Sequence, residues 1–162
     1  MKTIRLVGEV NEEMYITLSE ALEELEADED AIEADIELVS EGGSAYDALA
    51  IAGRMRSSPL NVTIVACGKC MSAAVLILAA GDTRLATQGT WFMVHEDSGR
   101  AKGKTCDIER QASQMQAEER AWNAMLEDCT GTSEVVWDEL AVNETYFGVG
   151  KARELNLITG TL

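Results

Sequence analysis

Asn61-Val-Thr-Ile-Val-Ala-Cys-Gly-Lys-Cys-Met-Ser-Ala-Ala-Val-Leu-Ile-Leu-Ala-Ala-Gly81 is the stretch on which the reading of this chain turns. Its opening, residues 61–65, is nearly all apolar, as a strand buried on both faces would be. Its close, residues 73–80, reads as a short apolar helix stopped by Gly81. Ser72 falls at the junction. A strand feeding a helix is half of a β-α-β unit, and the flanking segments supply the rest. Residues 3–7 alternate as a strand ended by Gly8, and residues 35–39 form a second. Asn11 can cap a helix with Glu12 and Glu13 in its first turn, the sign that the helix dipole prefers there. Its apolar positions, Met14, Leu18, Leu22 and Leu25, follow helical spacing. Ser44-x-x-Asp47 resembles a capping box opening a helix that runs to Arg56. Two more strands are expected near 83–86 and 90–94, then a long helix over about 107–128 with Gly131 just beyond. Shorter helices are expected near 133–141 and 149–155. Strands alternating with helices imply an α/β fold of repeated β-α-β units, joined by right-handed crossovers into a largely parallel sheet. No linker, repeat or low-complexity run divides the chain, and its single proline, Pro59, sits in a turn, so one domain over 1–162 is expected.

Composition narrows the function. At 162 residues the chain can bury a proper core. Thirteen basic residues against 29 acidic give a net charge of −16. Such a surface repels phosphate backbones and anionic lipid, which argues against nucleic acid and membrane as partners. There is no signal peptide and no 18-residue apolar run. The expectation is a cytoplasmic protein whose four cysteines are reduced.

Cys67 and Cys70 form a C-x-x-C pair, which raises metal or redox chemistry. Two thiols supply half of a structural zinc site, while Cys106 and Cys129 are single and distant. A redox C-x-x-C opens a helix near the start of a thioredoxin-like chain, whereas Cys67 still belongs to an apolar strand. The pair therefore reads as small buried hydrophobes, with no metal and no cofactor expected. Ser72 has two readings. It is either a helix N-cap or a nucleophile set before helix N–H groups that can stabilise an oxyanion. His95, the only histidine, favours the second. It ends the apolar run Trp91-Phe-Met-Val94, and strand ends on one edge of an α/β sheet are where sites are built. Gly42-Gly43, after another strand, permit close approach of backbone to a ligand. Their other reading is a plain tight turn.

The joint order of these motifs resembles the proteolytic subunit of the Clp protease, the ClpP family of self-compartmentalising serine peptidases. Family members carry S-P-G-G, G-x-A-A-S and M-I-H-Q-P. Here the same places read Ser40-Glu-Gly-Gly43, Gly68-Lys-Cys-Met-Ser72 and Met93-Val-His-Glu-Asp97. Gly103-Lys-Thr-Cys-Asp-Ile-Glu109 resembles the approach to the family's handle helix. Thr145-Tyr-Phe-Gly-Val-Gly-Lys-Ala-Arg-Glu-Leu-Asn-Leu-Ile158 resembles its closing F-x-S-x-x-E-A-x-x-x-G-L-V. The likeness covers nearly the whole chain. It implies a ClpP/crotonase-like fold with a protruding handle helix, Ser72 as nucleophile and His95 as general base. It also implies an oxyanion hole made by the amides of Gly43 and Ala73. The family's third member, an Asp, falls on Glu144, with Asp138 as the fallback; the plain alternative for Glu144 is a surface carboxylate.

The same likeness implies a homo-oligomer of two stacked heptameric rings that cleaves peptides or unfolded proteins in an internal chamber. The handle fits: Ile108, Ala112, Met115, Trp122, Met125 and Cys129 recur as one apolar stripe. Arg100, Lys102 and Lys104 form a basic patch before it, or simply a solvated loop. Several positions depart from the family. Glu41 replaces the proline of S-P-G-G, Glu96-Asp97 replaces Gln-Pro, and Asn143 replaces the Arg that links rings. The sequence starts almost on its first strand, without the axial loop and short helix that help dock a hexameric AAA+ unfoldase. A standard partnership with an AAA+ unfoldase is therefore not expected. A trimmed member of this kind resembles phage-encoded ClpP-like proteins, some of them head-maturation proteases. The other readings are a catalytically silent ring subunit and a crotonase-like acyl-CoA enzyme, which has no need of a Ser–His pair.

Overall fold

The computed structural model describes residues 3–96 and 102–162. Three long strands carry the architecture: β1 (Ile4–Val10), β2 (Glu33–Gly43) and β3 (Asn61–Met71). They pair in parallel, and β4 (Thr83–Ala86) and β7 (Gly160–Thr161) extend the sheet in the order β1-β2-β3-β4-β7. Between β1 and β2 runs α1 (Glu12–Glu26), capped by Asn11, whose side chain accepts the Met14 N–H. Its buried face is Met14, Leu18 and Leu22, as the spacing predicts. Helix α2 (Ala45–Arg56) follows β2, with the Ser44 hydroxyl accepting the Asp47 N–H. A bidentate Arg54–Glu26 pair, joined by Ser58, ties α2 to α1.

The strands are longer than the sequence predicts because each continues through an irregularity. Register shifts occur between Val7 and Glu9 of β1 and between Leu38 and Ser40 of β2. In β3 the matching break is at Gly68, whose φ is 70°. Gly68 and Lys69 interrupt the apolar run, yet a bulge lets the strand go on with a stronger twist. The strand thereby serves two partners. Its first half pairs with β4 at Thr63–Ala66, and its last three residues, Lys69–Met71, pair with β5 (Trp91–Val94). Strand β5 in turn pairs antiparallel with β6 (Thr145–Gly148). β6 and β7 were not expected as strands.

Helix α3 (Ala73–Ala79) is the centre of the core, and all seven of its residues are buried. It packs on α2, β2, β3 and the foot of α4 (Thr105–Thr130). Arg84 is buried at the α3 C-terminal end, where its guanidinium donates to the carbonyls of Gly81, Asn156 and Leu157. Burial pulls its pKa down from the usual value, and the three carbonyls compensate the desolvated charge. Helices α5 (Glu134–Val142) and α6 (Val149–Glu154) close the far end.

α4 is the protruding handle. Twenty-six residues at 1.5 Å each span about 39 Å. Gly131 ends it in the left-handed conformation, φ 73°. The apolar stripe divides in two. Trp122, Met125 and Cys129 pack against the core, whereas Ile108 and Ala112 are exposed and Met115 is half-buried. The stripe is therefore an intramolecular contact at its foot and a bare surface at its tip. Of the basic patch, Lys102 and Lys104 are exposed, and Arg100 lies outside the described residues. Among the described residues no helix is long and apolar enough to cross a membrane.

Candidate active site

β3 delivers Ser72 and β5 delivers His95. The two strands pair at Met71 and Met93, so the residues that follow leave the sheet side by side. Ser72 Oγ stands 2.8 Å from His95 Nε2. Ser72 makes no side-chain capping bond to α3, which answers the N-cap alternative. Its backbone has φ 52° and ψ −123°, a conformation that a non-glycine residue rarely adopts. The Ser72 N–H donates to the Met93 carbonyl at 2.7 Å, and the Ser72 carbonyl accepts from Val75 N–H. These bonds hold a sharp strand-to-helix turn that lifts the hydroxyl out of the chain path, as a nucleophile elbow does.

The Gly42-Gly43 pair is the third wall. A Cβ on Gly42 would lie 2.7 Å from Ser72 Cβ, 2.8 Å from the Met71 carbonyl and 3.1 Å from the Ala73 nitrogen. Only glycine lets β2 come this close to the elbow. A Cβ on Gly43 would collide with the Val10 carbonyl at 2.3 Å, so the second glycine is needed for approach to β1. Ser44 N–H donates to that Val10 carbonyl. The pair is thus a close backbone approach rather than a plain turn.

The two carboxylate candidates are placed differently. The β5–β6 ladder runs from Trp91–Gly148 to Val94–Thr145, and one further step would put Glu144 opposite His95. The ladder stops short of that step. Glu144 has φ 45°, its N–H donates to the Ala141 carbonyl, and its side chain is exposed. Among the described residues no hydrogen bond joins Glu144 to His95. Asp138 is exposed on α5. The structure brings together Ser72, His95, Gly43 and Ala73, with Glu144 adjacent in register and unbonded.

Of the cysteines, Cys70 is fully buried behind the elbow, and desolvation pushes its thiol far up from the usual value. That is the behaviour of a small core hydrophobe. Cys67 is half-buried and raised in the same direction by burial. Beside the Ser–His pair opens a cavity of about 180 Å³ that the sequence did not reveal. Ser72, His95 and Gly43 line it, together with Leu49, Trp122 and Trp137. The same cavity carries Tyr46, Glu118 and Glu119. The signal for Glu118 was its position four residues before Trp122, on the same helix face.

The family model described as Clp protease matches residues 1–161. Among solved structures, the chain is similar to a single-substitution mutant of ClpP1 from Listeria monocytogenes. The TM-score is 0.88 at 21% identity, over 99% of this chain and 90% of that one. At such identity the likeness speaks for the fold.

Proposed function

This chain belongs to the Clp protease family, and on that footing we propose that it is a serine endopeptidase built on Ser72 and His95. The observation that carries the reading is the 2.8 Å approach of Ser72 Oγ to His95 Nε2 at a strained strand-to-helix turn. Ser72 attacks the scissile carbonyl as His95 takes its proton. The oxyanion that forms sits between the amides of Gly43 and Ala73. Removing one such donor typically costs about 10²–10³-fold in rate. The imidazolium then protonates the leaving amine, and water repeats the sequence on the acyl-enzyme. Glu144 orients His95 once its side chain turns inward from the adjacent register position. The 2.8 Å pair also stands against the crotonase-like reading, which needs no Ser–His contact.

Members of this family form rings and act on peptide substrates. The tip of α4 supports the same expectation here, since Ile108 is 41% exposed on a helix face that the subunit leaves bare. We place that face in a contact between subunits of a double heptameric ring. Unfolded casein, incubated with wild type, Ser72→Ala and His95→Ala, tests the proposal. Degradation by wild type alone is the expected result. Equal degradation by Ser72→Ala refutes it.

A further inference from the structure

The cavity beside the Ser–His pair carries carboxylates in a largely apolar wall. Glu118 and Trp122 are four residues apart on α4 and therefore share a face. Both line the cavity, together with Leu126 one turn further along α4, Leu49 from α2 and Trp137 from α5. Glu118 is held in place. Its Oε1 accepts from the Tyr46 hydroxyl and from Gln114 Nε2 at 2.8 Å. These two donors lower its pKa, Tyr46 foremost, so Glu118 is a carboxylate at neutral pH. Both act on Oε1, which leaves Oε2 without a hydrogen bond among the described residues. Glu119 lines the same cavity, with one carboxylate oxygen shielded from solvent.

We propose that this cavity receives the side chain just before the scissile bond, and that Glu118 makes it select lysine or arginine. The inference rests on the reading of Ser72 as the nucleophile. A cavity of about 180 Å³ is far above the ~10–15 Å³ that a single water requires and has room for a long side chain. The methylene stem of lysine or arginine lies along Leu49, Trp122 and Leu126, and its cationic head reaches the carboxylate. Leucine fills the apolar part but offers the carboxylate no charge-assisted contact. Glutamate is repelled outright. The chain's net charge of −16 acts in the same direction by drawing cationic peptides toward the protein.

Peptidyl diphenyl phosphonates modify an activated serine directly, so they read side-chain preference without turnover. Three such probes, alike except for a lysine, leucine or glutamate side chain at the position before the phosphorus, are reacted with the full-length protein. Second-order rates of Ser72 modification are followed by intact mass. The expected order is lysine over leucine by roughly 10–100-fold, the effect of one charge-assisted contact, with glutamate slowest. Glu118→Gln should collapse the lysine-to-leucine ratio to within a few-fold of one, and Glu118→Lys should move glutamate ahead of lysine. A leucine-first order in wild type, with a ratio that Glu118→Gln does not move, overturns the selectivity and leaves Ser72 as nucleophile intact. No modification of Ser72 by these probes or by a simple fluorophosphonate overturns the nucleophile reading and this inference together.

Discussion

Gly42→Ala tests how the elbow is built. The new methyl would lie 2.7 Å from Ser72 Cβ and 2.8 Å from the Met71 carbonyl, on a backbone with φ 101°. Neither neighbour is a flexible side-chain end, so β2 and the elbow must move apart. A strained positive φ costs about 1–3 kcal/mol by itself. With the clash, a total of about 3 kcal/mol is a fair estimate, and in a chain of this length it lowers Tm by ~6–12 °C. Displacing the nucleophile by about 1 Å costs on the order of 10²-fold in reactivity. Gly68→Ala is the matched control: its φ is 70°, but its Cβ would meet nothing within 4 Å. It pays only the left-handed penalty, about 1–2 kcal/mol, and keeps its reactivity within a few-fold. Both variants are compared at one protomer concentration by thermal melting and by the rate of fluorophosphonate labelling. Equal labelling of Gly42→Ala and Gly68→Ala would refute the idea that glycine at position 42 exists for the elbow.

If Glu144 orients His95, Glu144→Gln lowers kcat by roughly 10²–10⁴-fold with the assembly unchanged, while Asp138→Asn stays within a few-fold; the reverse pattern moves the role to Asp138. Glu26 has its pKa lowered, first by its hydrogen bond to Arg54 and then by Ser58. A depressed folded-state value means that the pair stabilises above the unfolded carboxyl pKa and that this gain is lost as pH falls through the lower folded value. Glu26→Gln should therefore cost about 1 kcal/mol at pH 7, or ~2–4 °C, and the gap to wild type should narrow in melts taken at progressively lower pH. Ile108→Asp puts a charge on the bare tip of α4. It should shift sedimentation toward smaller species without lowering the subunit's Tm, and an unchanged sedimentation profile would count against a role for this face in assembly.

Much of the fold was legible because local chemistry and tertiary packing agree. Asn11 and Ser44 cap as their side chains suggest, and the α1 spacing of Met14, Leu18 and Leu22 is its buried face. β7 was not legible because two residues, Gly160-Thr161, carry no side-chain pattern. β6 lies within the closing family motif, and only Phe147 of its four residues is buried, so it lacks alternation. The full length of β3 was hidden by Gly68, which looks like a terminator and acts as a bend. At the site, Ser72 and His95 stood out because a lone histidine and a serine at a strand-helix junction are few. Glu118 did not, in a chain with 29 acidic residues. Its meaning comes from Tyr46, 72 positions earlier, and from a cavity that only the packed helices create. The apolar stripe of α4 was correctly periodic, but periodicity does not say which end meets the core. Trp122 belongs to the subunit's own packing, and substituting it would unfold the foot of the handle as well as disturb any ring contact.

The central claim is that His95 activates Ser72, and covalent labelling reads it most directly. The native protein is treated with a fluorophosphonate, digested, and the adduct mapped by mass spectrometry. The result expected is a single adduct on Ser72, absent in Ser72→Ala and slowed by at least ~10²-fold in His95→Ala. An adduct on Cys67 or elsewhere with Ser72 unmodified, or labelling of Ser72 that does not depend on His95, would contradict it.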